Sequence, residues 1–184
     1  MTHCKITIPQ EIVKASQIDF SKPVYLYSDS RTLYLSNIKK KYNCFGKIMF
    51  DKEYSFTVSQ NIFNTILKSS SYIVYVLNSQ IFIKPYSITH KQQQYVQPLK
   101  LTIPSEILSM NAVDFNKIVY IYFSDNYTAF LSNRKKSNCC LGAFELNGEN
   151  SFFLSRNICY ILHIYSLDDI AIYVSDNMIR LKTT

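Results

Sequence analysis

The chain has 184 residues, of which 47% are apolar and 18% charged, a composition typical of a globular and not of a disordered protein. The formal net charge is +7 and the pI is near 9.1, so nucleic acid or another anionic surface is a favoured partner. No apolar stretch is long enough to span a membrane, and the first five residues lack the apolar core of a signal peptide. We therefore expect a cytoplasmic protein.

The first predicted elements are a strand, a short helix and a hairpin. The strand at residues 5–8 ends at Pro9, whose fixed φ and missing N–H suit the first turn of a helix. Glu11 then lies in that turn, where the helix dipole favours a carboxylate. Residues 24–27 and 32–35 alternate between apolar and polar side chains, which predicts two strands of a hairpin.

A second set of elements follows and adds a leading strand. Residues 44–50 and 54–58 read as strands that turn at Asp51-Lys52, and Ser59 is a natural N-cap for the next short helix. Two more strands, at 73–77 and 81–84, close this set. The polar segment 86–98 then reads as a linker.

The second half of the chain repeats the first. Residues 101–107 match residues 6–12 at an offset of 95, and the matches Asp19-Phe20 to Asp114-Phe115 and Asn43-Cys44 to Asn138-Cys139 keep that offset. The repeat predicts two domains, residues 1–85 and 99–184. Asn147-Gly148 stands at the turn before the strand at 151–154, where we expect positive φ at both residues, and Ser155 is the expected N-cap after it.

Each half also contains a fainter repeat. Residues 56–62 echo residues 6–12, and residues 152–158 echo residues 101–107. The chain therefore consists of four related units of about 45 residues, and a unit this small cannot bury enough surface alone, so two must interlock. They could interlock within one chain or between two, which leaves a homodimer open.

The order of elements resembles the swapped-hairpin barrel superfamily of bacterial transition-state regulators, the AbrB, MazE and MraZ type. The best match is residues 142–182, where Ser151 to Ile158 stand at the family's strand and short helix, and residues 46–84 match next best. Ile8-Pro9-Gln10-Glu11-Ile12 and its copy at 103–107 keep the family's Ile-Pro-x-Glu core. The resemblance implies a mainly β protein with short helices, formed as two tandem swapped-hairpin-like β-barrels.

The same resemblance implies DNA binding, with one departure. Family members that bind DNA often carry arginines at the helix start, whereas this chain has mostly neutral residues there: Val13-Lys14, Phe63-Asn64, Leu108-Ser109 and Cys159-Tyr160. Either DNA is held by other residues, or DNA binding has been lost.

The best candidates for phosphate binding are two basic runs at matching positions of the repeat, each just before a leading strand. Lysine and arginine side chains there could neutralise phosphates and release counterions, although a charged, solvated connection is the plain alternative. The candidate DNA-binding residues are Lys39, Lys40, Lys41, Arg134, Lys135, Lys136, Lys47, Arg31 and Arg156.

Four tyrosines form a further candidate set. Tyr25, Tyr27, Tyr120 and Tyr122 alternate with aliphatic residues and so share a sheet face. On an exposed face they could stack on unpaired bases, but a packing face with hydroxyls reaching water is the favoured interpretation.

The sequence predicts no enzyme, no cofactor and no metal site. His3, His90 and His163 are scattered, no glycine-rich phosphate loop exists, and the five cysteines lack metal-ligand spacing. Reduced, buried thiols are the expected state of those cysteines.

These observations favour a non-enzymatic DNA-binding protein, a transcriptional regulator that grips double-stranded DNA through its basic runs. The rival is a protein-binding module on the same scaffold, antitoxin-like or an inhibitor, that has lost DNA binding. A binder of RNA or single strands through the tyrosine face is third.

Overall fold

The computed structural model describes most of the chain: residues 3–67, 71–86, 97–110, 113–125 and 127–184. Fourteen β-strands and four short α-helices lie in these ranges, which confirms the mainly β class with short helices. The chain divides into two compact units, Met1–Lys91 and Gln92–Thr184. The predicted linker, 86–98, lies outside the described residues except at its two ends, so it stays a prediction.

The first unit contains seven strands and two short helices. In chain order they are β1 (His3–Thr7), α1 (Gln10–Ala15), β2 (Val24–Asp29), β3 (Thr32–Ser36), β4 (Cys44–Ile48), β5 (Ser55–Ser59), α2 (Gln60–Ile62), β6 (Tyr72–Leu77) and β7 (Gln80–Pro85). A π-helical turn, Phe63–Leu67, extends α2. Helix α1 begins directly after Pro9, and the Ser59 side chain accepts a hydrogen bond from the Ile62 N–H, as predicted for an N-cap.

The second unit repeats this order. Its elements are β8 (Leu99–Thr102), α3 (Ser105–Ser109), β9 (Val119–Phe123), β10 (Thr128–Ser132), β11 (Cys140–Phe144), β12 (Ser151–Leu154), α4 (Arg156–Leu162), β13 (Ile170–Ser175) and β14 (Met178–Thr183). A 3₁₀ turn, Leu167–Asp169, precedes β13. Ser155 caps α4 by accepting a hydrogen bond from the Ile158 N–H, again as predicted.

Each unit has one antiparallel sheet and one two-stranded ribbon. In the first unit the sheet order is β6-β7-β3-β2-β4, and β1 pairs with β5. In the second unit the order is β13-β14-β10-β9-β11, and β8 pairs with β12. Strands of the two half-units are paired in both cases, for example β3 with β7, so the half-units interlock within one chain.

The expected closure into barrels is not observed among the described residues. The two end strands of the first sheet, β4 and β6, do not pair with each other, and neither do β11 and β13 of the second. The physical reason is that β1 and β5, like β8 and β12, pair with one another and leave five strands for the sheet. A five-stranded sheet with ordinary twist does not have to meet itself, because closure requires matched tilt and stagger.

One face of each sheet packs on the core. Leu26, Leu33, Leu35, Ile81 and Ile83 alternate along their strands and are fully buried, and the π-helical turn Phe63–Leu67 packs on β3 and β7. In the second unit, the core includes Ile121, Leu131, Ile179 and Leu181. Period-two burial is what an antiparallel sheet with one covered face requires. In the second unit β9, β10 and β11 are instead buried at four consecutive positions each, so both faces of these strands are covered.

Two details differ from the sequence expectation. Positive φ occurs at Asn150 and not at Asn147 or Gly148, because the turn is a longer one in which the Asn150 N–H donates to the Asn147 carbonyl at 3.0 Å. The repeat also shifts by one residue: Cys140, not Cys139, is the counterpart of Cys44, since Cys44 pairs with Tyr27 as Cys140 pairs with Tyr122.

In the described part of the chain, no helix is long and apolar enough to cross a bilayer.

Candidate nucleic-acid interface

The predicted basic runs lie in two equivalent connections. We call residues 37–43, between β3 and β4, the first basic loop, and residues 133–139, between β10 and β11, the second basic loop. Strands β3 and β4 flank β2 on opposite sides, so the first loop has to cross over β2. The second loop crosses β9 in the same way. Each loop therefore runs over the sheet face that is turned away from the core, and all six predicted cations are exposed.

A buried tyrosine holds the main chain of each loop. The Tyr27 hydroxyl donates a hydrogen bond to the Ile38 carbonyl (2.9 Å) and accepts one from the Lys40 N–H (2.6 Å). In the second unit the Tyr122 hydroxyl donates to the Arg134 carbonyl (3.2 Å) and accepts from the Lys136 N–H (2.8 Å). Burial raises the pKa of Tyr122 to about 12, so its hydroxyl keeps the proton it donates at neutral pH.

An asparagine fixes the start of each loop. The Asn37 carbonyl oxygen accepts from the Asp19 N–H (2.8 Å), and its amide donates to the carbonyls of Asp19 (2.9 Å) and Pro23 (3.1 Å). Asn133 makes the same three bonds, to Asp114 N–H (2.6 Å), Asp114 O (2.8 Å) and Ile118 O (3.1 Å). In each unit the side-chain carbonyl and the NH₂ group of one asparagine thus both bond to the segment before β2 or β9, and so join that segment to the loop.

The shared hydrogen bonds show which loop residues correspond. Lys40 and Lys136 donate to equivalent tyrosines, so Lys39 matches Lys135, Arg134 matches Ile38, and Lys41 matches Ser137. The basic runs were expected to be equivalent throughout, but they coincide at two positions only. Each loop nevertheless presents three cations.

These cations differ electrostatically from other lysines of the same unit. Within the described residues, no carboxylate oxygen lies within 4.0 Å of the side-chain nitrogens of either loop. By contrast, Lys22 lies 3.0 Å from Asp19, and Lys117 lies 2.9 Å from Asp114. Hydrogen bonds from Ser21 and Lys22 lower the pKa of Asp19, so that carboxylate remains charged and offsets its lysine. The loops keep their full positive charge.

Three of the lysines lie over aromatic rings of the sheet face. The Lys40 ammonium lies 5.1 Å from the centre of the Tyr34 ring, and the Lys136 ammonium lies 4.9 Å from that of Phe130. Lys135 lies 5.8 Å from the Tyr120 ring. These contacts orient the stems, whereas the charged ends stay in solvent.

The tyrosine face is a packing surface and not a platform for bases. Tyr27, Tyr120 and Tyr122 are buried, and Tyr25 is half-buried. In the first unit the rings of Tyr27, Tyr34, Phe82 and Tyr75 form a row, with centres 5.1, 5.5 and 5.6 Å apart and near-parallel planes. Since the ring faces pack on one another, they are not presented to a stacking base, which favours the packing interpretation.

The remaining predicted residues lie outside the two loops. Arg31 is exposed in the β2–β3 turn, and Lys47 is exposed on β4. Arg156 is half-buried at the first position of α4. Of the predicted residues, Lys39 to Lys41 thus lie together in the first basic loop, and Arg134 to Lys136 lie together in the second. Arg31, Lys47 and Arg156 belong to neither loop.

Sequence reasoning missed the residues that build the loops. Tyr27, Tyr122, Asn37 and Asn133 were visible as repeated residues, and the motif Leu-Ser-Asn ends at the first residue of each loop. Nothing in the pattern tied a strand tyrosine to a connection 11 residues later. The exposed Ile38 and Tyr42 were also missed; their side chains are 70% and 80% exposed.

The described residues contain no group of three histidine, cysteine or carboxylate side chains that could hold a metal ion. All five cysteines are free thiols. Burial raises the pKa of Cys139 to about 12 and that of Cys140 to about 11, so both stay protonated and weakly reactive at neutral pH.

Comparisons with known proteins add little. No protein-family model matches the chain, and no curated protein matches it. Among solved structures, it is similar to the DNA polymerase III subunit beta of Borrelia burgdorferi, with 13% identity over 100% of this chain and 64% of that one, at a TM-score of 0.15. A sliding clamp of Pseudomonas aeruginosa gives 8% identity, coverages of 97% and 65%, and a TM-score of 0.15.

A DnaN sliding clamp of Bartonella birtlesii gives 12% identity, coverages of 98% and 64%, and a TM-score of 0.15. The chain thus spans less than two thirds of the length of each of these structures. TM-scores this low establish neither a shared fold nor a shared function.

Proposed function

We propose that this protein binds double-stranded DNA, and that the two basic loops contact backbone phosphates. The supporting observation is the duplicated loop: the same hydrogen bonds build it twice, and both times it carries three exposed cations without a carboxylate partner among the described residues. Together with the net charge of +7, this arrangement fits a polyanion. A non-enzymatic, cytoplasmic regulator of transcription is the biological role that the family resemblance adds to this proposal.

The tethering of the loops favours binding. A lysine on a loose loop loses main-chain freedom when it contacts a phosphate, and that loss opposes association. In each basic loop the tyrosine and the asparagine already hold the main chain. Only the side-chain rotamers of the lysines and the arginine then have to be ordered on binding.

The strength of such an interface depends on salt. If six cations each neutralise one phosphate, the affinity falls by about 10³-fold between 50 and 200 mM salt, because condensed counterions are released. Phosphate contacts position a protein on the duplex but carry no sequence information, so the loops alone give similar affinity for different sequences.

The test measures duplex binding against salt concentration, by fluorescence anisotropy, for the full chain and for a variant with alanine at Lys39, Lys40, Lys135 and Lys136. The expected result is a steep salt dependence that becomes much shallower in the variant. Lys22→Ala with Lys117→Ala is the control for the two-charge variant Lys40→Ala with Lys136→Ala, since Lys22 and Lys117 are exposed, occur once per unit, and are paired with carboxylates. If the control variant lost as much salt dependence, the effect would come from net charge and not from the loops, which would contradict the proposal.

A protein-binding role is the second candidate, and one observation favours it. Ile38 and Tyr42 flank the lysines of the first basic loop with their apolar surface in solvent. Exposed aliphatic and aromatic side chains beside charges are typical of protein interfaces. No detectable binding of any duplex at low salt would favour this candidate over DNA binding.

A further inference from the structure

The internal duplication provides a comparison for the exposure of every strand, and β4 differs from its counterpart β11. The bulge residue of β4, Phe45, is 44% exposed, whereas the equivalent Leu141 is 0% exposed. Lys47 of β4 points into solvent at the position where β11 has the buried Ala143. The same strand position is therefore covered in one unit and open in the other.

A second strand shows the same difference in the opposite unit. Val74 and Val76 of β6 are buried, with 1% of Val74 exposed, whereas the equivalent Ile172 and Val174 of β13 are only half-buried. Between them, Tyr173 is 38% exposed. Strand β13 has no fully buried residue at all.

Both open strands lie at the end of a sheet. Strand β4 pairs with β2 and β13 pairs with β14, and among the described strands each has one neighbour only. Their outer edges consequently carry unpaired backbone N–H and C=O groups beside exposed apolar side chains. Such edges are templates for another strand.

The two edges also carry opposite charges. Lys41 precedes β4 and Lys47 lies on it, whereas Asp168 and Asp169 precede β13; Asp176, which follows β13, is exposed but lies 3.2 Å from Arg180 of β14. The strands are similar in length, Cys44–Ile48 against Ile170–Ser175. An edge that is basic and apolar thus has a counterpart on the same chain that is acidic and apolar.

We propose that β4 of one chain pairs with β13 of a second copy, so that the protein self-associates through these two edges. Main-chain hydrogen bonds would supply affinity, and the opposite charges would select this pairing over β4 with β4 or β13 with β13. Because the two surfaces differ, the contact is heterologous, and the assembly either closes into a ring or extends. The inference does not depend on DNA binding: Lys41 serves here only as a charge beside β4, and the pairing itself uses main-chain groups of β4 and β13.

The test uses sedimentation velocity of the full chain without DNA. One variant makes the β4 edge acidic (Phe45→Glu with Lys47→Glu), and another makes the β13 edge basic (Tyr173→Lys with Asp176→Lys). Each places like charges opposite one another, and each should weaken self-association by roughly tenfold or more. Phe153→Glu, which changes an exposed aromatic residue of β12, is the control and should leave self-association unchanged.

An equimolar mixture of the two variants is the decisive measurement. Each variant retains one wild-type edge, so the mixture should associate although neither variant does so alone. Thermal melting followed by circular dichroism checks that both variants are folded; if either is not, the single substitutions Lys47→Glu and Asp176→Lys replace them. A wild-type chain that stays monomeric at all concentrations, a β13 variant that associates normally, or a folded mixture that does not associate would each overturn the proposal.

Discussion

Tyr27 and Tyr122 each use one hydroxyl to join two main-chain groups of a loop. The hydroxyl lies at the end of a buried ring that stacks on a neighbouring ring of the sheet face, Tyr34 for Tyr27 and Phe130 for Tyr122, which fixes its position. A carbonyl and an N–H two residues apart then bond to it from the loop side. The loop therefore takes its shape from the strand that it crosses.

Removing the hydroxyl should destabilise the fold. Tyr27→Phe and Tyr122→Phe each remove two hydrogen bonds to the main chain, and we expect a loss of about 1 kcal/mol in the free energy of unfolding per site, because water can reach part of the loop. Urea denaturation measures the effect. Tyr25→Phe is the matched control on the same strand, since the Tyr25 hydroxyl has no hydrogen bond to a described residue, and an equal loss there would contradict the assignment.

The Asp51 carboxylate, in the turn before β5, makes the stability of the fold depend on pH in the acid range. Its carboxylate accepts hydrogen bonds from the N–H groups of Ser55 (2.8 Å) and Glu53 (2.9 Å) and lies 3.0 Å from Lys5, and the bonds from Ser55 and Lys5 are the main causes of its lowered pKa. A carboxyl whose folded pKa lies below its unfolded value stabilises the fold above that unfolded value, about pH 4, and the contribution is lost as the pH falls through the folded value.

The equivalent residue of the second unit, Asn147, makes the same turn bonds without a charge. Asp51→Asn should therefore keep the turn but reduce the fall of stability below about pH 4, whereas Asn147→Asp should increase it. Unfolding free energies measured from neutral to acid pH test both directions. Unchanged acid profiles in both variants would contradict this role of Asp51.

At the scale of elements, the connection from β3 to β4 explains the bulge in β4. The loop reaches β4 from across β2, and the strand register shifts at once, between the Tyr27 and Leu26 pairs. Gly46 accommodates the shift with φ of 118°, a value that side chains with a Cβ rarely adopt. The register of β11 shifts at the equivalent place, between Cys140 and Gly142.

Alanine substitutions at Gly46 and Gly148 distinguish the effect of backbone strain from the effect of steric crowding. A Cβ on Gly46 or on Gly148 would meet no atom within 4 Å, but only Gly46 has positive φ. We expect Gly46→Ala to cost about 1–3 kcal/mol of unfolding free energy through backbone strain alone. Gly148→Ala should be neutral or slightly stabilising, within about 1 kcal/mol, because it reduces the freedom of the unfolded chain. Thermal unfolding of both variants tests the difference. Equal losses of unfolding free energy in the two variants would contradict it.

At the scale of the whole molecule, the duplication gives two basic loops with three cations each. Neutralising the three cations of one loop should remove a similar part of the salt dependence as neutralising the three cations of the other, with a slope change of about 0.9 per phosphate contact. Replacing Lys39, Lys40, Lys135 and Lys136 by arginine keeps the charge and should keep the slope. Duplex titrations against salt for the single-loop variants measure this; a slope that depends on one loop only would show that the units act differently.

The sequence predicted the elements better than their assembly. Pro9, Ser59 and Ser155 marked helix starts correctly, because capping depends on residues that are adjacent in the chain. The barrels were wrong because closure depends on which distant strands pair, and no local pattern distinguishes a β1–β5 ribbon from a barrel wall. In the site, the lysines were visible as runs, but Tyr27 and Asn37 act through partners 11 to 18 residues away and could be identified only in the folded chain.

Since the loop-side hydrogen bonds of Tyr27 and Tyr122 go to peptide groups, these bonds do not require particular side chains at the loop tips. The two copies already differ there, with Ile38 against Arg134 and Lys41 against Ser137, while the geometry beneath is the same. The chain thus has two loops with the same main-chain hydrogen bonds, and we expect their exposed side chains to tolerate substitution without a change in the fold beneath.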